Sequence, residues 1–344
     1  MRIRLAIAGV GNNASALVQG FGFYRSDRGK HLPGVSRPTL KGIGVTDTDI
    51  VAAFDVAANK AGKPLSKAIF ESPNNYPQLD APPLEPDPSV SMGIEDATNA
   101  EQVRSVSAIL RQRGVEVLLY SLPTGLPAIA RAYAEASLAA GVAVVNCTPD
   151  PIAGLPDLLD AAKNKGIPLL GDDLQSHFGS SVVHGALLAL FEDRGVKLNG
   201  SYQLNCGGNA DFANLRQRSA GKESSKHNAL RQKVRDTSQV TVVPSAAFVP
   251  FLEDRKVGVM SFEGRGWNNM PIKLDVTLQV QDSSNAAGVI IDLIRIAAIA
   301  LRSGEGGFPI AATPLLKSPP IIDDPQRQAE RARELLAALA GRET

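Results

Sequence analysis

The sequence predicts an α/β protein, with a doubly wound parallel sheet in its first part and a second domain that is rich in β-strands. Three observations predict this fold class. Short apolar runs alternate with helical patterns up to about Asp193, most of these helical patterns end at a glycine, and longer alternating runs follow. Because strand, helix and strand in close alternation require parallel pairing with right-handed crossovers, the first part is predicted to be doubly wound.

The elements of this sheet can be placed in order. The first predicted strand is Arg2–Ala8, and after the glycines that follow it Ala14, Leu17, Val18 and Phe21 have helical spacing. Further strands are predicted at Val51–Asp55, Val115–Leu119, Val142–Asn146 and Ile167–Leu170. Helices are predicted at Glu101–Arg113, at Leu126–Ala140 and from Pro156, and they end before Gly114, Gly141 and Gly166.

Two stretches interrupt the alternation and are predicted to be surface loops, Ser26–Asp47 and the proline-dense Pro73–Pro88. Beyond Asp193 the alternating runs predict strands at Gln239–Val243, Val257–Phe262 and Ile272–Val280. Helices return at Ala286–Leu301 and Pro325–Leu339, the second with Asp324 as its N-cap. We expect this last helix to pack back on the first domain.

The composition is that of an ordinary soluble protein. The chain has 344 residues, 44 % of them hydrophobic and 21 % charged, and this length favours two domains. Lys and Arg number 36 against 35 Asp and Glu, so no global positive field favours nucleic acid. The N-terminal run lacks the pattern of an export signal, and Ala286–Leu301 is too short and too interrupted by charges to cross a bilayer. With Cys147 and Cys206 expected as small buried hydrophobes, the sequence predicts a cytoplasmic protein without a nucleic-acid or membrane partner.

The residues between the first strand and the first helix match a dinucleotide-binding turn. Gly9, Gly11 and Ala14 fit the pattern G-x-G-x-x-A, in which Asn12 and Asn13 are the intervening residues. Backbone amides at such a helix N-terminus hold a pyrophosphate. The strand before the turn and the helix after it favour a Rossmann-type dinucleotide site over a plain tight turn.

Other candidate cofactor residues end the predicted strands. Asp55 ends the second strand, where an acidic residue accepts from the adenine ribose and disfavours a ribose phosphate, so it predicts NAD rather than NADP. Position 55 lies 44 residues beyond position 11 instead of the usual ~20, so this interpretation requires an insertion, and an ordinary strand-end residue is the alternative. Ser121, Pro123 and Asn146 lie at the C-terminal ends of parallel strands and are predicted to adjoin the cofactor.

Four long strings in the sequence resemble myo-inositol-1-phosphate synthases, and are most similar to the short prokaryotic branch of that family. They are GVGNNASALVQG at Gly9–Gly20, GDDLQS at Gly171–Ser176, NCGGNADFAN at Asn205–Asn214 and DSSNAAGVIID at Asp282–Asp292. The similarity runs in order from residue 1 to about Lys317. Several unrelated strings that match together make coincidence a poor explanation.

The resemblance implies a fold, a cofactor and a reaction. A family member holds NAD, oxidises carbon 5 of glucose 6-phosphate, enolises the ketone and closes the ring by an intramolecular aldol step. The hydride then returns from the cofactor to the cyclic ketone, which regenerates NAD, and the product serves inositol and phospholipid biosynthesis. The implied fold is a Rossmann domain built from residues 1–195 and 286–344, with an inserted catalytic and tetramerisation domain at 196–285. A homotetramer and a small sugar-phosphate substrate are therefore expected. A divalent cation stays open, because none of the four histidines has a partner at metal-ligand spacing.

The resemblance also implies catalytic residues. The family's lysines correspond to Lys222, Lys226, Lys256 and Lys317. Enolate and alkoxide oxygens form during the reaction, and lysine cations suit their stabilisation. Lys222 and Lys226 share one face if their segment is helical, although a solvated face is the ordinary interpretation of such a pair. Asp254 stands two residues before Lys256 and is a candidate to orient it or relay a proton, with plain exposure as the alternative.

The remaining implied residues concern the nicotinamide and the phosphate. Asp173 and Asp282 correspond to cofactor-side carboxylates, with turn chemistry or helix capping as the alternative. The substrate phosphate is expected near a helix N-terminus that offers backbone amides. The residues assigned to it are Ser176, His177, Phe178, Gly179, Asn209 and Asp211.

Three positions depart from the family's pattern. Gln175 stands where a lysine is usual, Asn13 where a cysteine is usual, and Ser284 where a proline is usual. One cation fewer beside the phosphate changes how an anionic ligand is held. The hypotheses are therefore the synthase itself, a homologous NAD-dependent cyclase or epimerase for another sugar phosphate, and a non-catalytic NAD-binding homologue. An ordinary dehydrogenase is a fourth, and net formation of NADH would identify it.

Overall fold

The computed structural model describes residues 2–26, 29, 31–82, 85–215 and 220–341, except for the side chains of residues 215 and 220–222. The strands of its first part are β1 (Ile3–Ala8), β2 (Thr39–Leu40), β3 (Ile43–Gly44), β4 (Thr48–Asp55), β5 (Val90–Met92), β6 (Val117–Tyr120), β7 (Ala143–Asn146) and β8 (Leu169–Leu170). Six of them form an all-parallel sheet in the order β5-β4-β1-β6-β7-β8. This order confirms the doubly wound fold, and its switch point lies between β1 and β6.

Helices cover both faces of this sheet. They are α1 (Asn12–Arg25), α2 (Leu65–Ala68), α3 (Ala100–Gln112), α4 (Pro127–Ala140), α5 (Pro156–Asn164), α6 (Ser180–Asp193), α7 (Ala210–Leu215), α8 (Ala220–Arg231), α9 (Asp282–Arg302) and α10 (Pro325–Leu339). The period-2 alternation of β1 divides the core: Leu5 and Ile7 pack with α1 and α9, whereas Ala6 and Ala8 pack with α3, α4 and α5. Both faces are therefore buried.

The C-terminal part of the chain completes the first layer. α9 begins four residues earlier than predicted and is long and apolar enough to cross a membrane, so the prediction that this segment is too short was wrong. Most of its apolar window is nevertheless buried in the core against α1. Its buried Arg295 pairs with Asp292 and donates to the Pro38 and Ile43 carbonyls, which holds the segment before β4. α10 has Asp324 as its N-cap and buries Leu336 in the same core, which confirms the predicted return of the tail.

The second sheet is mixed. Its strands are β9 (Lys197–Gly207), β10 (Val240–Phe248), β11 (Arg255–Arg265) and β12 (Pro271–Gln281), in the order β10-β9-β11-β12. β9 and β10 are parallel and the other two pairs are antiparallel. α6 and α8 cover one face over Met260 and Phe262, while Tyr202 and Val259 remain exposed on strands of this sheet.

Several local predictions were incomplete. β5 and α2 were not predicted, because elements of three and four residues are too short for a periodic signal. The loop at Ser26–Asp47 contains the β2–β3 hairpin. The Pro73–Pro88 segment is not wholly a surface loop, since Tyr76 within it is 9 % exposed. Cys147 and Cys206, both described, form no disulfide.

Candidate active site

A cavity of about 320 Å³ opens at the carboxyl ends of the parallel strands, between the two sheets. Fourteen of the predicted residues line it: Gly9, Gly11, Asn12, Asn13, Asp55, Ser121, Pro123, Asp173, Ser176, Asn209, Asp211, Lys256, Asp282 and Lys317. These residues come from positions 9 to 317 of the chain and meet because parallel strands place their carboxyl ends at one edge. The structure therefore brings most of the candidate site together.

The two glycines of the predicted dinucleotide turn have different surroundings. Gly9 has a φ of +97°, and a Cβ on it would lie 2.4 Å from the Ser121 carbonyl oxygen, so only glycine fits. Gly11 is the N-cap of α1, and outside its own chain neighbours no described residue has an atom within 4 Å of the position its Cβ would take. The close packing at Gly9 is thus structural, whereas the space beside Gly11 belongs to the cavity.

Asp55 ends β4 beside this turn. Its Oδ2 accepts from the Val10 N–H at 2.9 Å and its Oδ1 from the Ala57 N–H at 2.9 Å. The carboxylate is therefore fixed at the cavity edge, next to the strand that leads into the turn. The loop between α1 and β4 accounts for the long spacing from Gly11.

Two ion pairs from distant parts of the chain face the cavity. Lys256 Nζ lies 3.2 Å from Asp282 Oδ1, and Lys317 Nζ lies 2.9 Å from Asp173 Oδ1. Asp173 also accepts from Ser225 Oγ at 2.6 Å, which connects it to α8. Each lysine is thereby held by a carboxylate at the wall of the cavity.

Asp254 lies behind this wall rather than in solvent. It is 1 % exposed, and its carboxylate accepts from Ser283 Oγ at 2.6 Å and from Asn12 Nδ2 at 2.9 Å. Burial, with a smaller contribution from Asp282, raises the pKa of Asp254 above its usual range. Lys256 pairs with Asp282. Asp254 accepts from the Ser283 N–H, and therefore contacts α9, the helix that carries Asp282.

Two predicted lysines lie on α8. Lys226 is buried, and its charge makes a small addition to the effect of burial, which is the main cause of the lowered pKa of His184. Lys222 begins the same helix one turn earlier, which confirms that their segment is helical, but its side chain is outside the described residues. The structure thus gives the position of Lys222 in the chain and nothing about its contacts.

The predicted phosphate segment is divided between two cavities. Ser176 lines the site cavity, whereas His177 lines a neighbouring apolar cavity of about 430 Å³ between α1 and α9. Phe178 is 60 % exposed, and its N–H donates to Asn285 Oδ1 at 2.8 Å. Gly179 is the N-cap of α6, and among the described residues no side chain caps that helix.

Two predicted cofactor neighbours are buried behind the cavity surface. Ala14 packs in the core on α1. Asn146 is fully buried, and its Nδ2 donates to Asp172 Oδ1 at 2.7 Å and to the Asp150 carbonyl at 2.7 Å. These contacts give Asn146 a role in shaping the loop after β7, while its predicted contact with a cofactor stays a prediction.

Sequence reasoning did not identify Asn75, which joins the turn to the second sheet. Asn12 Nδ2 donates to Asn75 Oδ1 at 2.6 Å, and the Asn75 N–H donates back to Asn12 Oδ1 at 2.9 Å. Asn75 Nδ2 also donates to the Gly208 carbonyl at 3.0 Å. In the sequence, Asn75 is marked only by the pair of asparagines after Pro73, and the surrounding prolines favoured a surface loop at this position.

Within the part of the chain that the structure describes, no group of three or more His, Cys, Asp or Glu side chains has the arrangement of a metal site.

Comparison with known proteins identifies relatives over nearly the whole chain. Residues 179–283 match the family model of myo-inositol-1-phosphate synthase. An inositol-3-phosphate synthase of Mycolicibacterium smegmatis is 41 % identical over 94 % of this chain and 96 % of its own length. An inositol-3-phosphate synthase of Corynebacterium glutamicum is 38 % identical over 95 % and 96 %. A crystal structure of Ari2 is 50 % identical with a TM-score of 0.86, covering 99 % of this chain and 100 % of that one.

Proposed function

The chain belongs to the myo-inositol-1-phosphate synthase family, and from this premise we propose that it converts D-glucose 6-phosphate to 1L-myo-inositol 1-phosphate with NAD as cofactor. One observation carries the proposal: the dinucleotide turn and two lysine–carboxylate pairs face the same cavity. Oxidation needs a dinucleotide, and ring closure needs cations beside the reacting oxygens. A single cavity offers both.

The residues at the turn fit NAD. The open space beside Gly11 accommodates a pyrophosphate at the N-terminus of α1, and Asp55 stands where an adenine ribose would lie. When bound, NAD would supply reversible oxidation of one sugar carbon. The carboxylate of Asp55 favours ribose hydroxyls over a ribose phosphate, which supports NAD rather than NADP.

The two ion pairs give the chain's own chemistry. Lys256 and Lys317 orient their ammonium groups through Asp282 and Asp173, and stabilise oxygen atoms that become negative as the ketone enolises and the ring closes. A pre-oriented ammonium needs no reorganisation when the charge forms. Lys226 and Lys222 on α8 are proposed to add their positive charges to those of Lys256 and Lys317.

Asp254 is proposed to position rather than to bind the substrate. It accepts hydrogen bonds from Asn12 of the turn and from Ser283 of α9, so it fixes the cofactor side of the cavity against the helix that carries Asp282. Its raised pKa reflects a carboxyl group removed from water.

The substrate phosphate is proposed to bind at Ser176 and the N-terminus of α6. Backbone amides at a helix N-terminus attract anions, and Asn209 and Asp211 line the same cavity. His177 and Phe178 are assigned to this segment because their backbone connects Ser176 to the N-terminus of α6. Their side chains point to the neighbouring cavity and to solvent.

Assembly and location are part of the same proposal. We propose domains at 1–195 with 286–344 and at 196–285, a cytoplasmic homotetramer, and assembly through the second sheet. Tyr202 and Val259 on that sheet support this because they leave apolar area for a partner subunit.

The alternative is a homologous cyclase or epimerase for a different sugar phosphate. Gln175 favours it, because this neutral side chain is buried next to Ser176, where the family usually has a lysine. The Gln175 N–H donates to the Leu315 carbonyl at 2.8 Å, which fixes its backbone beside the phosphate segment.

Incubation of the purified protein with NAD and glucose 6-phosphate tests the proposal. Phosphorus NMR follows cyclitol phosphate and absorbance follows NADH. Inositol phosphate without net NADH is the expected result. Bound NAD without product would favour the alternative, and Gln175→Lys would then be tested for recovery of activity. Net NADH would indicate a dehydrogenase, and a protein that binds no NAD would contradict the cofactor assignment.

A further inference from the structure

Val10, which lies between the two glycines of the turn, is held at both ends by side chains from outside the turn. Its N–H donates to Asp55 Oδ2 at 2.9 Å. Its carbonyl oxygen accepts from Lys60 Nζ at 2.8 Å and from Asn74 Nδ2 at 3.0 Å. Lys60 Nζ also donates to Asn74 Oδ1 at 3.1 Å, so Lys60, Asn74 and the Val10 carbonyl form a closed cluster.

The position of Lys60 is uncommon for a lysine. Lys60 is only 4 % exposed. Burial lowers the pKa of its ammonium, although the carboxylate of Asp55, whose Oδ2 lies 3.8 Å away, acts to raise it. Removing an ammonium from water costs free energy that an apolar side chain of the same length would not incur. A buried cation directed at one backbone carbonyl therefore indicates a role beyond packing.

Asn74 is fixed in the same way. Its Nδ2 donates to the Ile69 carbonyl at 2.9 Å as well as to Val10, while its Oδ1 accepts from Lys60. With donors and acceptor all engaged, the amide has one orientation. The Val10 carbonyl is thus held by two side chains that are themselves held.

We propose that Lys60 and Asn74 are positioning residues of the dinucleotide site, which act through the peptide bond between Val10 and Gly11. In a planar trans peptide the C=O and the following N–H point in opposite directions. Fixing the Val10 carbonyl toward Lys60 and Asn74 directs the Gly11 N–H away from them, toward the cofactor pyrophosphate. The inference rests on the proposed NAD site and names residues outside the glycine pattern that hold it.

The cluster favours an anionic part of the ligand for a second reason. Lys60 and Asn74 both line the site cavity, and the ammonium lies one peptide group from Gly11. A positive charge near the donor strengthens a hydrogen bond to an oxyanion where water is excluded. The pyrophosphate therefore depends on Lys60, whereas the adenosine does not.

The test compares Lys60→Met with the control Lys63→Met. Methionine retains the length of lysine without its N–H groups, and Lys63 is a nearby lysine that pairs with Glu71 and has a side chain 44 % exposed. Calorimetry measures the Kd of NAD and of ADP, and saturation-transfer NMR measures the Kd of adenosine. Because Lys60→Met removes a hydrogen bond from a charged group, we expect it to weaken the binding of NAD and of ADP at least about tenfold. Adenosine binding and the melting temperature of the ligand-free protein should remain close to the wild-type values, as for Lys63→Met in all four measurements.

Asn74→Leu is the second variant, and it should also weaken NAD and ADP more than adenosine. Unchanged NAD and ADP binding in Lys60→Met overturns the inference. Equal weakening of ADP and adenosine with a lower melting temperature also overturns it, because it indicates a structural role only. A wild-type protein that binds neither NAD nor ADP would overturn the proposed function together with this inference, and is thereby distinguished from failure of the inference alone.

Discussion

Replacing Gly11 with valine should remove NAD binding while leaving the fold intact. Gly11 has φ −95° and ψ −161°, a conformation that valine adopts, and its Cβ would meet no described atom within 4 Å. The free energy of unfolding should therefore change by no more than about 1 kcal/mol. The added side chain would occupy the space proposed for the pyrophosphate, so NAD should bind at least about 100-fold more weakly, or about 2.7 kcal/mol.

Gly9→Ala is the matched contrast in the same turn. A Cβ there would lie 2.4 Å from the Ser121 carbonyl oxygen, and the φ of +97° is unfavourable for alanine. Left-handed backbone costs about 1–2 kcal/mol and overpacking about 1–3 kcal/mol, so the free energy of unfolding should fall by roughly 2–5 kcal/mol.

Thermal unfolding of the ligand-free variants and calorimetric titration with NAD separate the two effects. Gly11→Val should melt near the wild-type temperature and fail to bind, and Gly9→Ala should melt well below it. Wild-type NAD affinity in Gly11→Val would refute the proposed position of the pyrophosphate. A loss of stability in Gly11→Val equal to that of Gly9→Ala would refute the structural distinction between the glycines.

The remaining predictions concern catalysis and pH. Lys222→Ala should retain NAD binding and lose nearly all turnover, and unchanged activity would remove Lys222 from the mechanism. Lys256→Met should lower the rate constant of a single turnover at least about 100-fold, and an unaltered rate constant would contradict its role at the reacting oxygens. Burial lowers the pKa of His184 from 6.5 to about 4, so the unfolded chain takes up a proton first as the pH falls from about 6.5 to about 4. The free energy of unfolding should fall across that range by up to about 3 kcal/mol, and His184→Gln should flatten its pH dependence in urea titrations; a flat wild-type profile would contradict this assignment.

The alternation of short strands and helices was sufficient to predict the first sheet, because burial of both faces leaves apolar strands between helical patterns. β9 escaped prediction because its buried face is polar, unlike the apolar strands of the first sheet. Its inward positions Ser201, Gln203 and Asn205 are polar: the first two bond to His184, and Gln203 donates to Asn205. The strand therefore lacks the usual hydrophobic alternation. A buried polar network conceals a strand from pattern reasoning.

The candidate site was predicted chiefly through resemblance. The contacts that position it join residues far apart in sequence: Lys317 lies 144 residues from Asp173, and Asn12 lies 242 residues from Asp254. No local pattern contains such pairs. Asp254 illustrates the consequence, because its charged neighbours in the sequence suggest exposure whereas the fold buries it beneath Ser283.

Asn12 belongs to the predicted dinucleotide turn and bonds both to Asp254, which directly precedes β11, and to Asn75, which reaches Gly208. We therefore expect a ligand that shifts Asn12 to shift the opposite wall of the cavity as well. Thermodynamic reciprocity then requires the sugar phosphate to tighten NAD by the same factor by which NAD tightens the sugar phosphate. If NAD and the sugar phosphate bind as proposed, we expect the two asparagines to make the affinity for either ligand depend on whether the other is bound.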